Sequence, residues 1–414
     1  MSTRSKCWII LVALVLAVAG APAADAAAAP TPDAAGDAAA FSAAPTAERS
    51  VTNWVQMAAG ANSTCATRTT GRLYCWGSDY TGAVGDGGVA KNRSAPREVA
   101  GGATDWVGVS VSWSGACGRR ATGRLYCWGN DSDGQVGDGG TNTDQQAPVL
   151  VAGDRTDWAS VSAGHVHTCA PTTGGRLFCW GADNYGQLGN GGANSGSTTP
   201  VEVAGGATDW AGVSAGYGHT CARKTSGRVF CWGYDQQGQL GNDPTLGDTT
   251  TPVEVSGGAT DWSSVVAGGF HSCATKTSGR LYCWGSDQYG QLGNGGANTY
   301  RATPGQVAGA STTWAQVSAS FDNTCARKAS RRIYCWGWNF TGQLGNGAHG
   351  QNLTRGTPGE VAGSAVDWSF VISGGGHTCA RKMTGRLYCW GYDYFGQLGN
   401  AKPNADTYLP VQVA

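Results

Sequence analysis

Fourteen of the fifteen cysteines in this chain form seven pairs whose partners are ten residues apart. Thiol groups at a regular spacing could bind a metal, take part in redox exchange or form disulfides. A zinc site needs closely spaced Cys or His pairs that converge on one ion, and a single Cys-x9-Cys unit per repeat does not provide that. We therefore favour disulfides. The predicted bridges join Cys65 to Cys75, Cys117 to Cys127, Cys169 to Cys179, Cys221 to Cys231, Cys273 to Cys283, Cys325 to Cys335 and Cys379 to Cys389.

A turn such as residues 225–227 separates the two cysteines of each pair, so the flanking segments are predicted to fold back as a hairpin. Counting outward from that turn places Cys221 opposite Cys231. Cross-strand Cβ atoms lie about 4.5–5.5 Å apart, and small adjustments bring them into disulfide range. Each short loop would stabilise the fold by roughly 2–3 kcal/mol. In a reducing compartment the same pairs would instead pack as small hydrophobic side chains.

Histidines are the other residues whose type could provide metal or acid–base chemistry. Equivalent positions of a repeat lie on different structural units, so we expect the recurring histidines to make structural hydrogen bonds rather than to bind a metal; His165 and His349 fall outside the pattern. No nucleophile elbow or phosphate-binding loop is present, and residues 131–134 lack the further oxygens of a calcium loop. The sequence predicts no enzyme activity, no cofactor and no metal. The recurring histidines are His167, His219, His271 and His377.

A repeat of 52 to 54 residues carries these cysteines and histidines. Each copy starts with a tryptophan, passes through a motif close to Gly-x-x-His-Thr-Cys-Ala and reaches Gly-Arg-Leu-Tyr-Cys-Trp-Gly. Four short strand-like segments per copy and this period are typical of β-propellers. We predict an all-β, seven-bladed β-propeller of four-stranded blades over residues 51–414. The leading tryptophans are Trp54, Trp106, Trp158, Trp210, Trp262, Trp314 and Trp368.

The two ends of the repeat array predict how the ring closes. In the fourth copy, strands are expected at residues 200–203, 210–214, 219–223 and 228–232. The first copy has no Pro-Val-Glu-Val segment before it, and the chain ends with the related segment 410–413. We therefore expect the C-terminal strand to join the first blade, which would remove an exposed edge.

The first fifty residues differ in composition from the repeats. Arg4 and Lys6 precede an apolar run at 8–19 and a small-residue region, so residues 1–24 are predicted to be a secretory signal peptide, with an uncleaved membrane anchor as the alternative. Residues 25–50 are rich in Ala, Pro and Asp and are predicted to be a linker. This favours a secreted or extracellular location, with the periplasm or the cell surface as further options.

The balance of charge limits the kinds of partner that the chain could bind. The chain contains 28 basic and 28 acidic residues, and the repeats contain no run of basic residues. A nucleic-acid surface needs clustered Lys and Arg, so we expect no nucleic-acid partner.

Aromatic residues vary from copy to copy at one predicted end of the propeller. Strands run up and down, so the segment before the first cysteine and the exit segment after Cys-Trp-Gly should share a face. Tyr and Trp offer large contact areas at low entropy cost. We predict that this face binds a partner, although any single ring could instead fill a gap between loops. The predicted partner-binding residues are Trp113, His165, Tyr217, Phe270, Phe321, Tyr80, Tyr185, Tyr234, Tyr289, Trp338, Phe340, Tyr392 and Phe395.

The unit at residues 218–241, Gly-His-Thr-Cys-Ala…Gly-Arg-Val-Phe-Cys-Trp-Gly-Tyr-Asp…Gly-Gln-Leu-Gly, resembles the regulator of chromosome condensation repeat. The resemblance covers residues 51–414 and implies a seven-bladed propeller, and the paired cysteines resemble those of exported bacterial members. Members of this family include a guanine-nucleotide exchange factor, a plant ultraviolet-B photoreceptor and a secreted β-lactamase inhibitor, so the fold does not determine one function. The photoreceptor function requires Gly-Trp-Arg-His-Thr in several blades, which this chain lacks.

We expect a secreted, monomeric, non-catalytic protein that recognises an extracellular or periplasmic protein partner and could act as an inhibitor. No membrane insertion is expected after removal of the signal. A guanine-nucleotide exchange factor for a small GTPase is the first alternative, but it would need a nuclear or cytosolic location. A carbohydrate-binding lectin is the second, because aromatic rings near Asp and Asn suit sugars.

Overall fold

Seven antiparallel sheets, each of four strands, make up the described part of the chain. The computed structural model describes residues 52–192, 194–242, 247–296, 299–350, 353–402 and 405–414. The predicted all-β, seven-bladed architecture is confirmed. The predicted signal peptide at 1–24 and linker at 25–50 lie outside the described residues.

The strands of each blade follow one another in the chain. Blades 1 to 3 contain β1 (Trp54–Ala59), β2 (Ser63–Arg68), β3 (Leu73–Gly77), β4 (Arg93–Glu98); β5 (Trp106–Val111), β6 (Gly115–Arg120), β7 (Leu125–Gly129), β8 (Gln145–Leu150); β9 (Ser162–Ala163), β10 (His167–Pro171), β11 (Leu177–Gly181) and β12 (Ser197–Glu202). Blades 4 and 5 contain β13 (Trp210–Ala215), β14 (His219–Lys224), β15 (Val229–Gly233), β16 (Thr249–Glu254); β17 (Trp262–Ala267), β18 (His271–Lys276), β19 (Leu281–Gly285) and β20 (Arg301–Gln306). Blades 6 and 7 contain β21 (Trp314–Ala319), β22 (Asn323–Lys328), β23 (Ile333–Trp338), β24 (Thr354–Glu360); β25 (Trp368–Ser373), β26 (His377–Lys382), β27 (Leu387–Gly391) and β28 (Thr407–Gln412).

The ring does not close in the way that the sequence predicted. Strand β4 pairs with β3 of blade 1, with Tyr74 opposite Glu98, and the C-terminal strand β28 pairs with β27 of blade 7. Each blade is therefore one continuous stretch of chain, and the expectation that the C-terminal strand completes the first blade is wrong. The physical reason is that the exit segment after Cys-Trp-Gly is long enough to reverse and pair with the strand just before it. Its proline lacks an amide hydrogen and suits an outer edge.

The hydrophobic core lies between neighbouring blades. Between blades 4 and 5, Cys221 and Cys231 pack in one cluster with Trp262 of the next blade. An equivalent cluster contains Cys389 of blade 7 and Trp54 of blade 1. Side-chain packing of the last blade against the first therefore closes the ring.

All seven predicted disulfides are present, one in the hairpin of the second and third strands of each blade. In blade 4 the two cysteines are directly opposite each other and are fully buried in the interface with the next blade. Each bridge therefore fixes the register of its hairpin. The bridges join Cys65 to Cys75, Cys117 to Cys127, Cys169 to Cys179, Cys221 to Cys231, Cys273 to Cys283, Cys325 to Cys335 and Cys379 to Cys389.

The recurring histidines connect neighbouring blades. His167 Nε2 lies 2.8 Å from Thr220 Oγ1, and the Thr220 hydroxyl donates to the carbonyl of Gln187 at 2.8 Å. The Trp232 indole donates to the same carbonyl at 2.9 Å. Because the threonine hydroxyl is already a donor, His167 must donate to it from Nε2. Burial lowers the pKa of His167 to about 3, so the ring is neutral and structural, as the sequence predicted.

Strand order places the connections of every blade at two opposite ends. The connections from first to second strand, and the exit loops from third to fourth strand, lie at one end, which we call the loop face. The turns from second to third strand and the connections between blades lie at the other end, which we call the turn face. This grouping agrees with the sequence prediction. The first strand of each blade lines a central channel.

Candidate functional site

Five aromatic rings from five successive blades meet at the channel mouth on the loop face, and we call them the mouth cluster. The His165 ring stacks on Trp113 with centroids 4.5 Å apart and meets the Tyr217 ring edge-on at 4.5 Å. Phe270 lies 5.2 Å from Tyr217 and 5.4 Å from Phe321. Phe321 of blade 6 also lies 5.3 Å from Trp113 of blade 2. The rings therefore make contact across the channel mouth.

Glycines allow the loops that carry these rings to approach one another closely. The amide of His165 donates to the carbonyl of Gly216 at 3.0 Å, and the amide of Tyr217 donates to the carbonyl of Gly268 at 3.2 Å. A Cβ added at Gly216 would lie 2.5 Å from the carbonyl oxygen of Gly268, which is closer than side chains tolerate. The rings thus project from loops that are bonded to one another through their backbones.

Two of the seven blades contribute no aromatic ring to the mouth. Blades 7 and 1 carry Gly375 and Ala61 at the equivalent position. Their loops are joined by a hydrogen bond from the amide of Gly375 to the carbonyl of Gly60 at 3.0 Å. Blades 2 to 6 therefore supply the rings, and blades 7 and 1 supply only small residues.

A cavity of about 420 Å³ adjoins the mouth cluster along the channel. The hydroxyls of Ser110, Ser214 and Ser318 line it and accept hydrogen bonds from backbone amides of the following blades at 2.9–3.0 Å. Phe370 and Ile372 add apolar surface. None of the described residues around this cavity is Asp, Glu, Lys or Arg. It is suited to uncharged groups.

The surroundings of His165 favour a packing role for its ring over a role in acid–base catalysis. Burial lowers its pKa to about 4, so the imidazole is neutral at neutral pH. Its stacking on Trp113 is the arrangement expected of two flat rings. The mouth is therefore an apolar, polarisable surface.

Two predicted exit-loop residues extend the mouth cluster outward. Tyr185 and Tyr234 have ring centroids 4.9 Å apart, and Tyr234 lies 6.1 Å from Phe270. Seven of the thirteen predicted residues thus form one connected aromatic surface over blades 2 to 6.

Three more predicted residues form a separate group on the exit loops of blades 5 and 6. Tyr289 lies 6.1 Å from Trp338, and Trp338 stacks on Phe340 at 5.5 Å with an interplanar angle of 11°. Phe340 is 40% exposed, so this group presents an open ring to solvent.

The last three predicted residues gather on the exit loops of blades 7 and 1. Phe395 lies 6.0 Å from Tyr392 and 6.2 Å from Tyr80. Tyr394, which the prediction omitted, lies 5.0 Å from Phe395 and is more than half exposed. Its aromatic type in a variable exit loop was a sufficient signal to include it.

Exit loops are held rigid by hydrogen bonds inside each loop. In blade 4, Asp235 Oδ1 accepts from the amide of Leu240 at 2.9 Å, and the Gln239 side-chain oxygen accepts from the amide of Gln237 at 3.0 Å. The Gln239 carbonyl accepts from the Trp284 indole of the next blade at 2.9 Å. The exit-loop rings are therefore mounted on a fixed backbone.

Asp322 is the acidic residue at the mouth that sequence reasoning did not single out. It follows Phe321, at a position where the other six copies carry uncharged residues, and that contrast was the available signal. Burial raises the pKa of its carboxyl to about 6. Within the described chain its carboxylate has no hydrogen bond or ion pair.

Charged side chains on the turn face are mostly paired with each other. Arg228 donates to Glu254 at 2.6 Å through Nε, and Arg72 donates to Glu98 at 2.8 Å. Among the described residues, ten ion pairs of this kind lie on the turn face. The two ion pairs found on the loop face of the described chain both belong to Arg93. Ion pairing within the chain therefore neutralises most of these charges, but Arg280 and Arg331 form no ion pair with the described residues.

No group of three or more His, Cys, Asp or Glu side chains in the described ranges is arranged to hold a metal ion. The part of the chain that the structure describes also has no helix of the length and apolarity needed to cross a membrane.

Fold and site together define a disulfide-linked seven-bladed propeller with an aromatic loop face and a self-paired turn face. The family model of the RCC1-like domain matches residues 33–352 and 152–414. The chain belongs to this family, as the resemblance of its repeats predicted.

Two curated relatives illustrate the similarity in sequence. The ultraviolet-B receptor UVR8 of Arabidopsis thaliana is 33% identical over 298 residues, which are 70% of this chain and 66% of the receptor. The E3 ubiquitin-protein ligase HERC2 of Homo sapiens is 28% identical over 352 residues, which are 77% of this chain and 7% of the ligase. The chain thus spans less than two thirds of either relative.

Solved structures show the same fold. Human WBSCR16 has a TM-score of 0.71 at 20% identity, with 83% of this chain and 94% of that chain covered. Prp20p of Saccharomyces cerevisiae, described with its binding to Gsp1p and histones, has a TM-score of 0.71 at 19% identity, with 88% of each chain covered. At these identities the likeness concerns the fold alone.

Proposed function

We propose that this protein is an exported, non-catalytic binding protein that recognises a protein partner through the aromatic residues of its loop face. The observation that carries the proposal is the mouth cluster, in which rings from five blades make contact across the channel mouth. Clustered aromatic rings on a rigid base are typical of binding hot spots, because little side-chain entropy is lost on association.

The exposure of Trp113 supports the same function. Trp113 is 36% exposed, although the core tryptophans of the blades are buried almost completely. A large aromatic residue that stays open to solvent on an otherwise well-packed scaffold favours an interaction surface. The aromatic surface at the mouth suits an apolar segment of a partner, so the protein could act as an inhibitor that covers a functional site of its target.

Relatives give independent support for a protein partner. The solved structure of Prp20p is described with binding to Gsp1p and histones. We carry over only the general role of binding a protein partner.

Seven disulfides support export, because such bonds persist in oxidising compartments. The predicted signal peptide at 1–24 would supply the route, and we expect the mature protein to be a monomer. An exchange factor for a small GTPase would have to function in a reducing compartment, which the disulfides disfavour.

The experiment is affinity capture from extracellular fractions with matched variants of the mature protein. The double variant Trp113→Ala, Phe321→Ala removes two rings of the mouth cluster. At both positions it introduces alanine, the residue that blade 1 carries there as Ala61. Arg228→Ala, which breaks an exposed ion pair on the turn face, is the control. We expect wild type and control to retain the same protein and the double variant to lose it.

Loss with the turn-face control, or equal retention by all three proteins, would contradict the proposal. The lectin alternative has its own outcome in the same experiment. A glycan ligand would still be retained after the captured protein is denatured, whereas recognition of a folded protein would not survive.

A further inference from the structure

The position of Asp322 within the repeat lies between two neighbouring exit loops. Its equivalent in blade 4 is Gly218, where an added Cβ would lie 3.1 Å from the Tyr185 ring and 3.4 Å from Cβ of Tyr234. Those two tyrosines stand on the exit loops of blades 3 and 4. A side chain at this position is therefore placed between aromatic residues of two blades.

In blade 6 the equivalent exit-loop residues are Tyr289 and Trp338, whose rings are 6.1 Å apart. The amide of Trp338 donates to the backbone carbonyl of Asp322 at 2.9 Å, which ties the two segments together. Burial and, after it, the charge on Asp322 raise the pKa of the Tyr289 phenol, so the two side chains are near each other. We call the group formed by Asp322, Tyr289 and Trp338 the acidic notch.

No cation among the described residues neutralises the negative charge of the Asp322 carboxylate. Burial raises the pKa of Asp322 to about 6, and no described residue forms a hydrogen bond or ion pair with its carboxylate. Asp86 on the same face, by contrast, accepts from Arg93 Nε at 2.7 Å. A partly buried carboxylate without a cation is less stable than one in water or in an ion pair. Supplying a cation from outside would remove that cost.

We propose that the acidic notch receives the guanidinium group of an arginine on the protein partner. This inference rests on the proposed function, because the notch lies on the same loop face. Guanidinium is planar, so it can stack on Trp338 or Tyr289 while its N–H groups donate to the Asp322 carboxylate. Trp338 already stacks on Phe340 at 5.5 Å, which fixes the orientation of its ring. A flat cation fits this combination of one carboxylate and two rings.

The test uses small probes and does not need the partner. Wild-type protein labelled with 5-fluorotryptophan is titrated with N-acetyl-arginine amide, and with the uncharged analogue N-acetyl-citrulline amide at matched ionic strength. The ¹⁹F resonance of Trp338 is assigned with Trp338→Phe, and buried Trp232 serves as the internal reference. We expect a saturable shift of Trp338 with the arginine probe and none with the citrulline probe.

Asp322→Asn keeps the shape of the side chain and should weaken binding of the arginine probe by about tenfold or more, as expected for loss of a hydrogen bond to a charged group. Asp133→Asn, an acid on the exit loop of blade 2, is the matched control and should bind like wild type. The reference resonances should be unchanged in both variants, which shows that they are folded.

Three results would overturn the inference. They are no shift of Trp338, equal shifts with arginine and citrulline, or undiminished binding by Asp322→Asn. A response to tetramethylammonium but not to the arginine probe would assign the notch to a methylated ammonium group instead and would also overturn it. Each of these results leaves the capture experiment unaffected, so failure of the notch can be told apart from failure of the loop face.

Discussion

The same seven repeats build both faces of this propeller. The faces differ in how many of their side chains are paired within the chain. On the turn face, ion pairs such as Arg228 with Glu254 neutralise charge within the chain. On the loop face, Trp113 is 36% exposed and the Asp322 carboxylate forms no hydrogen bond or ion pair with the described residues. The comparison teaches that the turn face pairs most of its charged side chains within the chain. The loop face instead leaves an aromatic ring and a carboxylate available to a partner.

Loop length explains why the faces could diverge. On the turn face, the amide of Gly227 donates to the carbonyl of Lys224 at 2.9 Å, which closes a tight turn. A Cβ at Gly227 would clash with the carbonyl oxygen of Thr260, so this turn accepts little variation. Exit loops on the loop face are longer and are fixed by internal bonds such as Asp235 to Leu240. Their outward residues can vary without loss of the frame.

The largest effect should come from the mouth cluster. Trp113→Ala combined with Phe321→Ala is expected to lower affinity for the partner by about 100-fold or more, because each removes a hot-spot ring. Surface plasmon resonance with the captured partner measures it. A change below about tenfold would mean that the loop face is not the main contact.

The second prediction tests whether the stability of the scaffold can fall without a change in the affinity of the loop face. Replacing both Cys221 and Cys231 by Ala removes a short disulfide loop and should lower the free energy of unfolding by about 2–3 kcal/mol. Urea unfolding measures the loss. Below the unfolding transition, affinity for the partner should be unchanged, and a parallel fall in affinity would show that scaffold and binding face are not separable.

The third prediction concerns the framework that links blades beneath the loop face. Burial lowers the pKa of His219 to about 3 from its ordinary value of 6.5. Above pH 6.5 the imidazole is neutral in both states; below it, the unfolded chain binds a proton that the folded chain excludes. The stability that His219 contributes is therefore lost as pH falls from 6.5 toward 3.

His219→Asn, which copies Asn323 of blade 6, tests this sign. Between about pH 6.5 and 5 the wild type should lose about 2 kcal/mol more than the variant. Carboxyls with raised pKa, such as Asp235, act in the opposite direction but are common to both proteins and cancel. Unfolding at several pH values measures the difference, and parallel curves would show that His219 is not buried and neutral.

The smallest effect belongs to the turn face. Arg228→Ala breaks an ion pair that is open to solvent, and such pairs add little stability because water and salt screen them. We expect no measurable change in Tm or in affinity for the partner. A clear loss of affinity would show that the partner binds the turn face. That result would contradict the assignment of binding to the loop face.

Much of the scaffold could be predicted from the repeats. The spacing of the tryptophans predicted seven blades, and the hairpin turn predicted that Cys221 faces Cys231, which the structure confirms. The closure was mispredicted because a periodic sequence has the same period wherever the first strand is placed. Only hydrogen bonding shows that β28 belongs to blade 7.

The candidate site was less predictable. Sequence variation indicated the loop face and its rings, but not that Trp113 and Phe321 make contact across the mouth. That contact depends on the width of the channel, which no local pattern encodes. The burial of Asp322 likewise depends on tertiary packing, which no local pattern encodes.

Hydroxyl-radical footprinting of the propeller, alone and in complex with its captured partner, tests the central comparison most directly. The account predicts that oxidation of Trp113, Tyr217 and Trp338 falls several-fold on binding. Turn-face residues such as Met383, which is 55% exposed, should keep their rates. Protection of Met383 with unchanged oxidation of the loop-face rings would contradict the account.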